Sequence, residues 1–233
     1  MLIYGKNTVR EVLRLSPHLV KKVFYLPGKE GLIPGESRVP AEKREKEFFD
    51  HSFSHLRHQG IAAEIASPPL YDPGYLEEMM GPSSLFLLLD GIQDPMNLGS
   101  ILRTAYGMGI DAVVLTSDRT VDVTPAVFSA SSGYAGAVPL VRMKNPAHTV
   151  KQLKKSGVWV AAAHMKGEKE AGDPSFSPLF PLLLCMGSEG SGVRRTFISE
   201  ADFSVRIPQR EGFDSYNVSV AAAILLWELN RLR

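Results

Sequence analysis

Three polar segments of the sequence carry residue types suited to binding and group-transfer chemistry. In the first, Asn97 is followed six residues later by Arg103, whose guanidinium offers parallel N–H donors to a phosphate or a carboxylate. In the second, three glycines within six residues surround Glu189 and allow a ligand to approach the backbone closely. The third has polar side chains at alternate positions before an apolar helix: Ser215, Asn217 and Ser219. These types indicate a site that grips an anionic group and holds a ligand against bare backbone.

Each of these segments has a structural alternative that spacing alone leaves open. Asn97 could cap a helix predicted over residues 98–108, because an asparagine side chain satisfies free N–H groups there. Glu189 could hold a substrate group or face solvent. Ser215 or Asn217 could cap the apolar C-terminal helix.

Several other chemistries are disfavoured by the residues present. No G-x-S-x-G segment, Walker lysine or G-x-G-x-x-G fingerprint occurs, which argues against a hydrolase, a P-loop protein and a nicotinamide-dependent oxidoreductase. His148 and His164 have no motif that ties them to a nucleophile. The histidines of residues 51–58 are at helical intervals but favour a polar helix face, so no metal site is predicted. The single cysteine, Cys185, allows no internal disulfide, and we expect a cytoplasmic protein with no membrane segment.

Continuous apolar runs of strand length precede the polar segments. They cover residues 85–89, 112–115, 158–163 and 182–186, with helix-like stretches between them. Continuous apolarity is typical of strands buried on both faces, so the sequence predicts an α/β fold with a mostly parallel sheet and helices on both faces. Ligands of such sheets bind beyond the carboxyl ends of the strands, where the polar segments fall.

The length and the distribution of turn formers suggest two domains. Proline, glycine and serine cluster within residues 67–84, and we place a linker at 73–84 between a small α/β domain, residues 1–72, and a larger one, residues 85–233. In the small domain, a polar helix is predicted near residues 41–59. Residues 1–60 carry eleven Lys or Arg against seven Asp or Glu, a mild basic excess compatible with a polyanionic partner.

The three polar segments together resemble the motifs of the SpoU, or TrmH-like, RNA 2'-O-ribose methyltransferases of the SPOUT superfamily. The matching segments are residues 94–105, residues 186–193, and residues 207–224, in the family's order. The start of the chain, residues 3–9, is similar to the opening of the small RNA-binding domain of the RlmB-type members. The third motif departs from the family pattern, because Gln209-Arg210-Glu211 separates Pro208 from Gly212.

The resemblance implies a fold and a cofactor that composition could not show. The sheet would carry a deep trefoil knot, formed where the C-terminal segment threads through a loop, and S-adenosylmethionine would lie bent in that knot. The positions that match the family's cofactor contacts are Gly187, Ile207, Tyr216 and Ser219. The activity implied is transfer of a methyl group to a ribose 2'-hydroxyl of RNA, without a metal.

The resemblance also implies roles for the polar residues. Arg103 would act on the 2'-hydroxyl. Because arginine gives up a proton only with difficulty, we expect Arg103 to grip the target phosphate and stabilise the developing alkoxide. Asn97 and Glu189 would orient Arg103 or the ribose. Ser215 and Asn217 would hold the substrate and the third loop.

The extra N-terminal domain favours ribosomal RNA, specifically 23S rRNA, as the substrate, with transfer RNA as the alternative within the class. A non-catalytic RNA-binding or ribosome-assembly factor is the alternative from another class. We expect a homodimer formed through the knotted domain and the C-terminal helix, because a two-fold dimer is the commonest oligomer. The residues predicted to contribute to that subunit contact are Leu225, Leu226, Trp227 and Leu229.

Overall fold

The computed structural model describes residues 1–177, 179–188, 190 and 192–233, and its N-terminal part is built on a four-stranded sheet. Strands β1 (Leu2–Tyr4), β2 (Val20–Tyr25), β3 (Ala41–Lys43) and β4 (Ile61–Ile65) take the order β1-β4-β2-β3. Helices α1 (Lys6–Leu15) and α2 (Lys46–Ser52) complete this part.

The helix predicted near residues 41–59 is therefore wrong at its start and too long. The first three of these residues form β3, which pairs in parallel with the end of β2, and the helix is confined to α2. Edge pairing with β2 supplies backbone hydrogen bonds that outweigh the helix propensity of a charged segment. Beyond α2, His55 and Gln59 adopt positive φ, which a continuing helix does not allow.

The rest of the chain forms an eight-stranded sheet among the described residues, in the order β10-β12-β9-β11-β6-β7-β8-β5. Its strands are β5 (Leu70–Tyr71), β6 (Leu85–Asp90), β7 (Ala112–Thr116), β8 (Leu140–Met143), β9 (Trp159–Ala163), β10 (Lys169–Glu170), β11 (Leu182–Gly187) and β12 (Phe203–Arg206). The helices are α3 (Gly74–Met79), α4 (Pro95–Gly107), α5 (Pro125–Ala130), α6 (Pro146–Lys155), α7 (Arg195–Glu200) and α8 (Val218–Asn230). Each of these strand pairs is parallel, which confirms the predicted α/β class.

The central strands are covered on both faces, as their continuous apolar runs predict. In β6, Leu85, Leu87 and Leu89 enter the core cluster that includes residues of α4, α5 and α8. Phe86 and Leu88 enter the opposite cluster, with residues of α3, α6 and α7. Because side chains alternate along a strand, one apolar run supplies both cores.

The predicted linker, residues 73–84, contains helix α3, whose Leu76 is fully buried in the core cluster against the larger sheet. Residues 70–71, which the prediction assigned to the small domain, form β5 and pair with β8 of the larger sheet. The N-terminal part also packs closely on the larger one. Ser16 Oγ donates a hydrogen bond of 2.7 Å to Gly136 O, and a Cβ at Gly133 would lie 2.6 Å from Thr8 O. The two sheets thus share one continuous core.

The C-terminal helix α8 corrects the predicted subunit contact. Leu225, Leu226 and Leu229 are at most 2% exposed and pack in the core of their own chain, so the prediction that they meet a partner is wrong. Trp227, by contrast, is 56% exposed. The helix is apolar on every side, so its packing against α4 decides which side is buried in the core.

Within the described ranges, no helix has both the length and the apolarity needed to cross a bilayer.

Candidate functional site

An open, largely apolar cavity lies beyond the carboxyl ends of β9, β11 and β12, at the first turns of α8. Its empty volume, including the open space at its mouth, is about 710 Å³. The apolar lining includes Met186, Val205, Ile207, Val218 and Leu225. We call this the apolar cavity.

Gly187 forms part of the apolar cavity and has no room for a side chain. A Cβ there would overlap the carbonyl carbon and oxygen of Gly192 and the amide nitrogen of Val193. An isolated β-bridge between Ser188 and Gly192 brings the loop after β11 back onto itself. Glycine is therefore required here by a backbone-to-backbone contact.

The predicted cofactor residues divide into three that line the apolar cavity and one that does not. Gly187, Ile207 and Tyr216 line it. Ser219 does not; its backbone N–H donates to Asn217 Oδ1 at 2.9 Å and its hydroxyl bonds the same atom at 2.6 Å. Ser219 thus stabilises the start of α8.

Asn217 joins the starts of two helices. Its Oδ1 caps α8, and its Nδ2 donates to Asn97 Oδ1 at 2.9 Å. The capping alternative for Asn217 is therefore confirmed, together with a contact to the first motif. Asn97 is not a cap, because α4 begins earlier than predicted, at Pro95, and Asp94 Oδ1 accepts a hydrogen bond from Met96 N at 3.0 Å.

Arg103 and Asn97 point in different directions from α4. At 3.6 residues per turn, six positions separate them by about 240° around the helix. The Arg103 side chain is exposed, and its Nη1 donates to Ser132 Oγ at 3.2 Å. The structure brings Asn97 and Asn217 together but leaves Arg103 outside the lining of the apolar cavity. Ser215 lines that cavity, and Glu189 lies outside the described residues.

A second cavity, with about 950 Å³ of empty volume, adjoins the first. It shares Ser188 and Val218 with the apolar cavity. Most of its other lining residues have polar side chains. These polar residues include Asp90, Gln93, Asp94, Asn97, Arg119 and Arg194. We call it the polar cavity.

The charge pair of Asp90 and Arg194 in the polar cavity was missed by sequence reasoning. Asp90 is 4% exposed, and its Oδ1 lies 2.6 Å from Arg194 Nη2, while its Oδ2 accepts from Arg194 N at 3.1 Å. The hydrogen bond to Asp90 raises the pKa of Arg194. One signal was available, since Asp90 ends a fully apolar strand directly before a glycine.

Replacing Asp90 with asparagine is expected to lower the free energy of unfolding by about 1–3 kcal/mol, because the half-buried Arg194 loses its counter-charge. Urea denaturation followed by circular dichroism measures the change. Asp118→Asn is the matched control, since Asp118 meets the same guanidinium at 3.4 Å but is 63% exposed. We expect Asp118→Asn to cost less than about 1 kcal/mol. Equal losses for both variants would contradict the assignment of Asp90 as the main partner.

The remaining nucleophile and metal candidates have structural roles. Burial raises the pKa of the Cys185 thiol, which keeps it protonated. His58 stacks on Phe49 with ring centroids 5.0 Å apart, and its Nδ1 accepts from Gly60 N. Across residues 1–177, 179–188, 190 and 192–233, no three His, Cys, Asp or Glu side chains converge as a metal site would require.

An apolar and a polar cavity lie side by side at the strand ends of the parallel sheet, an arrangement suited to two adjacent ligands, as group transfer requires. Comparison with known proteins agrees. The SpoU rRNA Methylase family matches residues 84–227. The 23S rRNA (guanosine-2'-O-)-methyltransferase RlmB of Pseudomonas putida is 34% identical over 99% of this chain and 96% of its own length. This chain therefore belongs to the SpoU rRNA methylase family, as predicted.

Solved structures share the whole fold. The AdoMet-bound rRNA methyltransferase from Sinorhizobium meliloti superposes with a TM-score of 0.77 at 25% identity, over 99% of this chain and 86% of that one. The SpoU methyltransferase AviRb from Streptomyces viridochromogenes, solved with AdoMet, has a TM-score of 0.81 at 21% identity, over 99% and 89%. The architecture of both sheets is thus that of this family.

Proposed function

We propose that this protein transfers the methyl group of S-adenosylmethionine to a ribose 2'-hydroxyl of ribosomal RNA, with a guanosine of 23S rRNA as the substrate. The observation that carries the proposal is the junction of the two cavities at Ser188 and Val218. An apolar and a polar cavity with a common wall place two different ligands next to each other. The RlmB relative supports the choice of substrate.

The residues of the apolar cavity fit S-adenosylmethionine. The backbone of Gly192 packs directly on Gly187, which shapes the loop wall of the apolar cavity, and Ile207 and Tyr216 border the same space. Backbone N–H and C=O groups at these positions suit an adenine edge. When bound, the cofactor supplies an activated methyl group.

The polar residues position the acceptor. Asn97, held by Asn217, presents its amide at the wall of the polar cavity and orients the ribose. Arg103 grips the target phosphate and stabilises the alkoxide that forms as the 2'-hydroxyl loses its proton. Ser215 contributes a hydroxyl at the mouth of the apolar cavity. Glu189 orients Arg103 or the ribose.

Three further features belong to the proposal. The cofactor site is knotted, which the shared lining of the apolar cavity by the loop after β11 and the segment after β12 supports. Residues 1–72, with their basic excess, are the RNA-binding part of the chain, and residues 73–84 join them to the catalytic part, residues 85–233. A ribosomal substrate places the activity in the cytoplasm.

The active form is a homodimer that uses the exposed side of α8. Val220 and Trp227 are 45% and 56% exposed, and they lie about two turns apart on one side of the helix. A two-fold dimer about this side covers its apolar surface. In such a dimer, Arg103 of one copy can serve the methyl-transfer site of the other copy.

Trp227→Glu is expected to convert the dimer to a monomer at micromolar concentration. A tryptophan that becomes buried between two subunits is a typical interface anchor, and an unpaired carboxylate cannot be buried in its place. Sedimentation velocity measures the change. Trp159→Glu is the matched control, since Trp159 is 40% exposed but lies on β9, and it should leave the dimer intact. A wild-type protein that sediments as a monomer would contradict the prediction.

The test of the proposed function is transfer of radiolabelled methyl from S-adenosylmethionine to unmodified ribosomal and transfer RNA, with mapping of alkali-resistant linkages. We expect label in ribosomal RNA at an alkali-resistant bond, because a methylated 2'-oxygen cannot attack the neighbouring phosphate. Label in transfer RNA alone would assign the alternative substrate. Cofactor binding with no transfer to either RNA, or to ribosomal particles, would assign a non-catalytic RNA-binding factor.

A further inference from the structure

The turn after β7 holds an arginine in a backbone conformation that few L-residues adopt. Arg119 has a φ of 57°, a region that glycine, asparagine and aspartate occupy far more often. It faces the loop after β6, where a Cβ built on Gly91 would lie 3.9 Å from the Arg119 Cβ. Both residues line the polar cavity. An arginine in a strained backbone position directs attention to its side chain.

Hydrogen bonds fix this turn on the edge of the polar cavity. The hydroxyls of Thr116 and Thr120 lie 2.9 Å apart, and both accept from Gly91 N, at 3.4 and 3.2 Å. Val121 N donates to Ile92 O at 2.8 Å. The turn and the loop after β6 therefore form one rigid unit.

The two carboxylates nearest to Arg119 in sequence form ion pairs, whereas the Arg119 guanidinium does not. Asp118 lies 3.4 Å from Arg194 Nη1, and Asp122 lies 2.7 Å from Arg142 Nη2. In the described part of the chain, the exposed Arg119 guanidinium has no hydrogen-bond or ion-pair partner. Because Asp118 and Asp122 are paired with other arginines, the Arg119 guanidinium on this turn can bind an anion from outside the chain.

We propose that the polar cavity holds the nucleotide whose ribose is methylated, and that Arg119 binds a phosphate of the RNA beside it. This inference rests on the proposed function and names a substrate contact of the same site. The common wall at Ser188 and Val218 sets a ligand of the polar cavity against the contents of the apolar cavity. A phosphate adjoins every ribose of RNA, so the unpaired guanidinium at the rim has a matching anion.

The test is Arg119→Asn, which removes the charge but keeps a residue type that tolerates positive φ. Binding of an unmodified ribosomal RNA transcript is titrated by fluorescence anisotropy at several salt concentrations, and cofactor affinity is measured by calorimetry. We expect the RNA Kd to rise about tenfold. The slope of log Kd against log salt concentration should fall by about 0.7–0.9. The affinity for S-adenosylmethionine should stay unchanged.

Arg195→Asn is the matched control, because Arg195 is exposed and lines neither cavity, and it should leave both affinities unchanged. Arg119→Lys, which keeps the charge, should restore the salt slope. An unchanged salt slope in Arg119→Asn, or an equal loss of cofactor affinity, would overturn the inference. If the wild-type protein methylates no RNA, the proposed function fails, but the salt titration still decides whether Arg119 contacts phosphate.

Discussion

Alanine in place of Gly187 is expected to raise the Kd for S-adenosylmethionine at least about 100-fold. The added methyl group would overlap the Gly192 carbonyl and the Val193 amide, which are backbone atoms with no rotamer to escape into. The loop after β11 must move away, and that loop forms one wall of the apolar cavity. Displacement of this wall changes the shape of the cavity that the cofactor would occupy.

Isothermal titration calorimetry measures this Kd, and urea denaturation shows whether the variant folds. Gly190→Ala is the matched control in the same loop, because a Cβ at Gly190 meets no atom within 4 Å. We expect Gly190→Ala to bind the cofactor within about twofold of the wild type, since no contact to the apolar cavity is disturbed. A folded Gly187→Ala protein with normal cofactor affinity would show that the close backbone approach is not part of the cofactor site.

Alanine in place of Arg103 is expected to lower kcat for methyl transfer by at least about 100-fold, the usual cost of removing a group that stabilises a developing negative charge. Cofactor affinity should not change, because Arg103 does not line the apolar cavity. The fold should not change either. The side chain is exposed, and it donates a hydrogen bond to Ser132 on the surface.

Single-turnover methyl transfer to ribosomal RNA measures the effect of Arg103→Ala on the chemical step. Arg103→Lys separates charge from geometry, because lysine keeps the charge but loses the planar, two-pronged donor set, and we expect it to remain impaired at least about tenfold. Mixing Arg103→Ala with a Gly187→Ala protein tests the two-chain site. Recovery of activity would show that Arg103 serves the other copy. Normal turnover by Arg103→Ala alone would end the assignment of this residue to catalysis.

The apolar runs determined the class of the larger sheet without help from tertiary structure. A strand such as β6, apolar at each of five successive positions, has no solvent face, so it must lie inside a covered parallel sheet. The polar segments then had to meet at the strand ends. Asn97 and Asn217 do meet, 120 residues apart in sequence, through a hydrogen bond of 2.9 Å. The motif positions were thus predictable from residue type and spacing.

Charged and uniformly apolar segments were not predictable in the same way. The residues of β3 have a composition that favours a helix, and only an available edge of β2 makes them a strand. Helix α8 has no polar side, so its sequence does not predict which of its residues face the core. Leu225 and Trp227 are two positions apart and have opposite environments, at 2% and 56% exposure.

The sequence by itself determined the family, the parallel α/β sheet and the three motif loops, because these depend on periodicity and on short segments of fixed residue type. The tertiary structure decided the pairing of Asp90 with Arg194, 104 residues apart, and the contact of Gly187 with Gly192. The Asp90–Arg194 pairing depends on where the sheet brings distant segments together, and the Gly187–Gly192 contact depends on how the loop after β11 folds back; no local residue pattern encodes either.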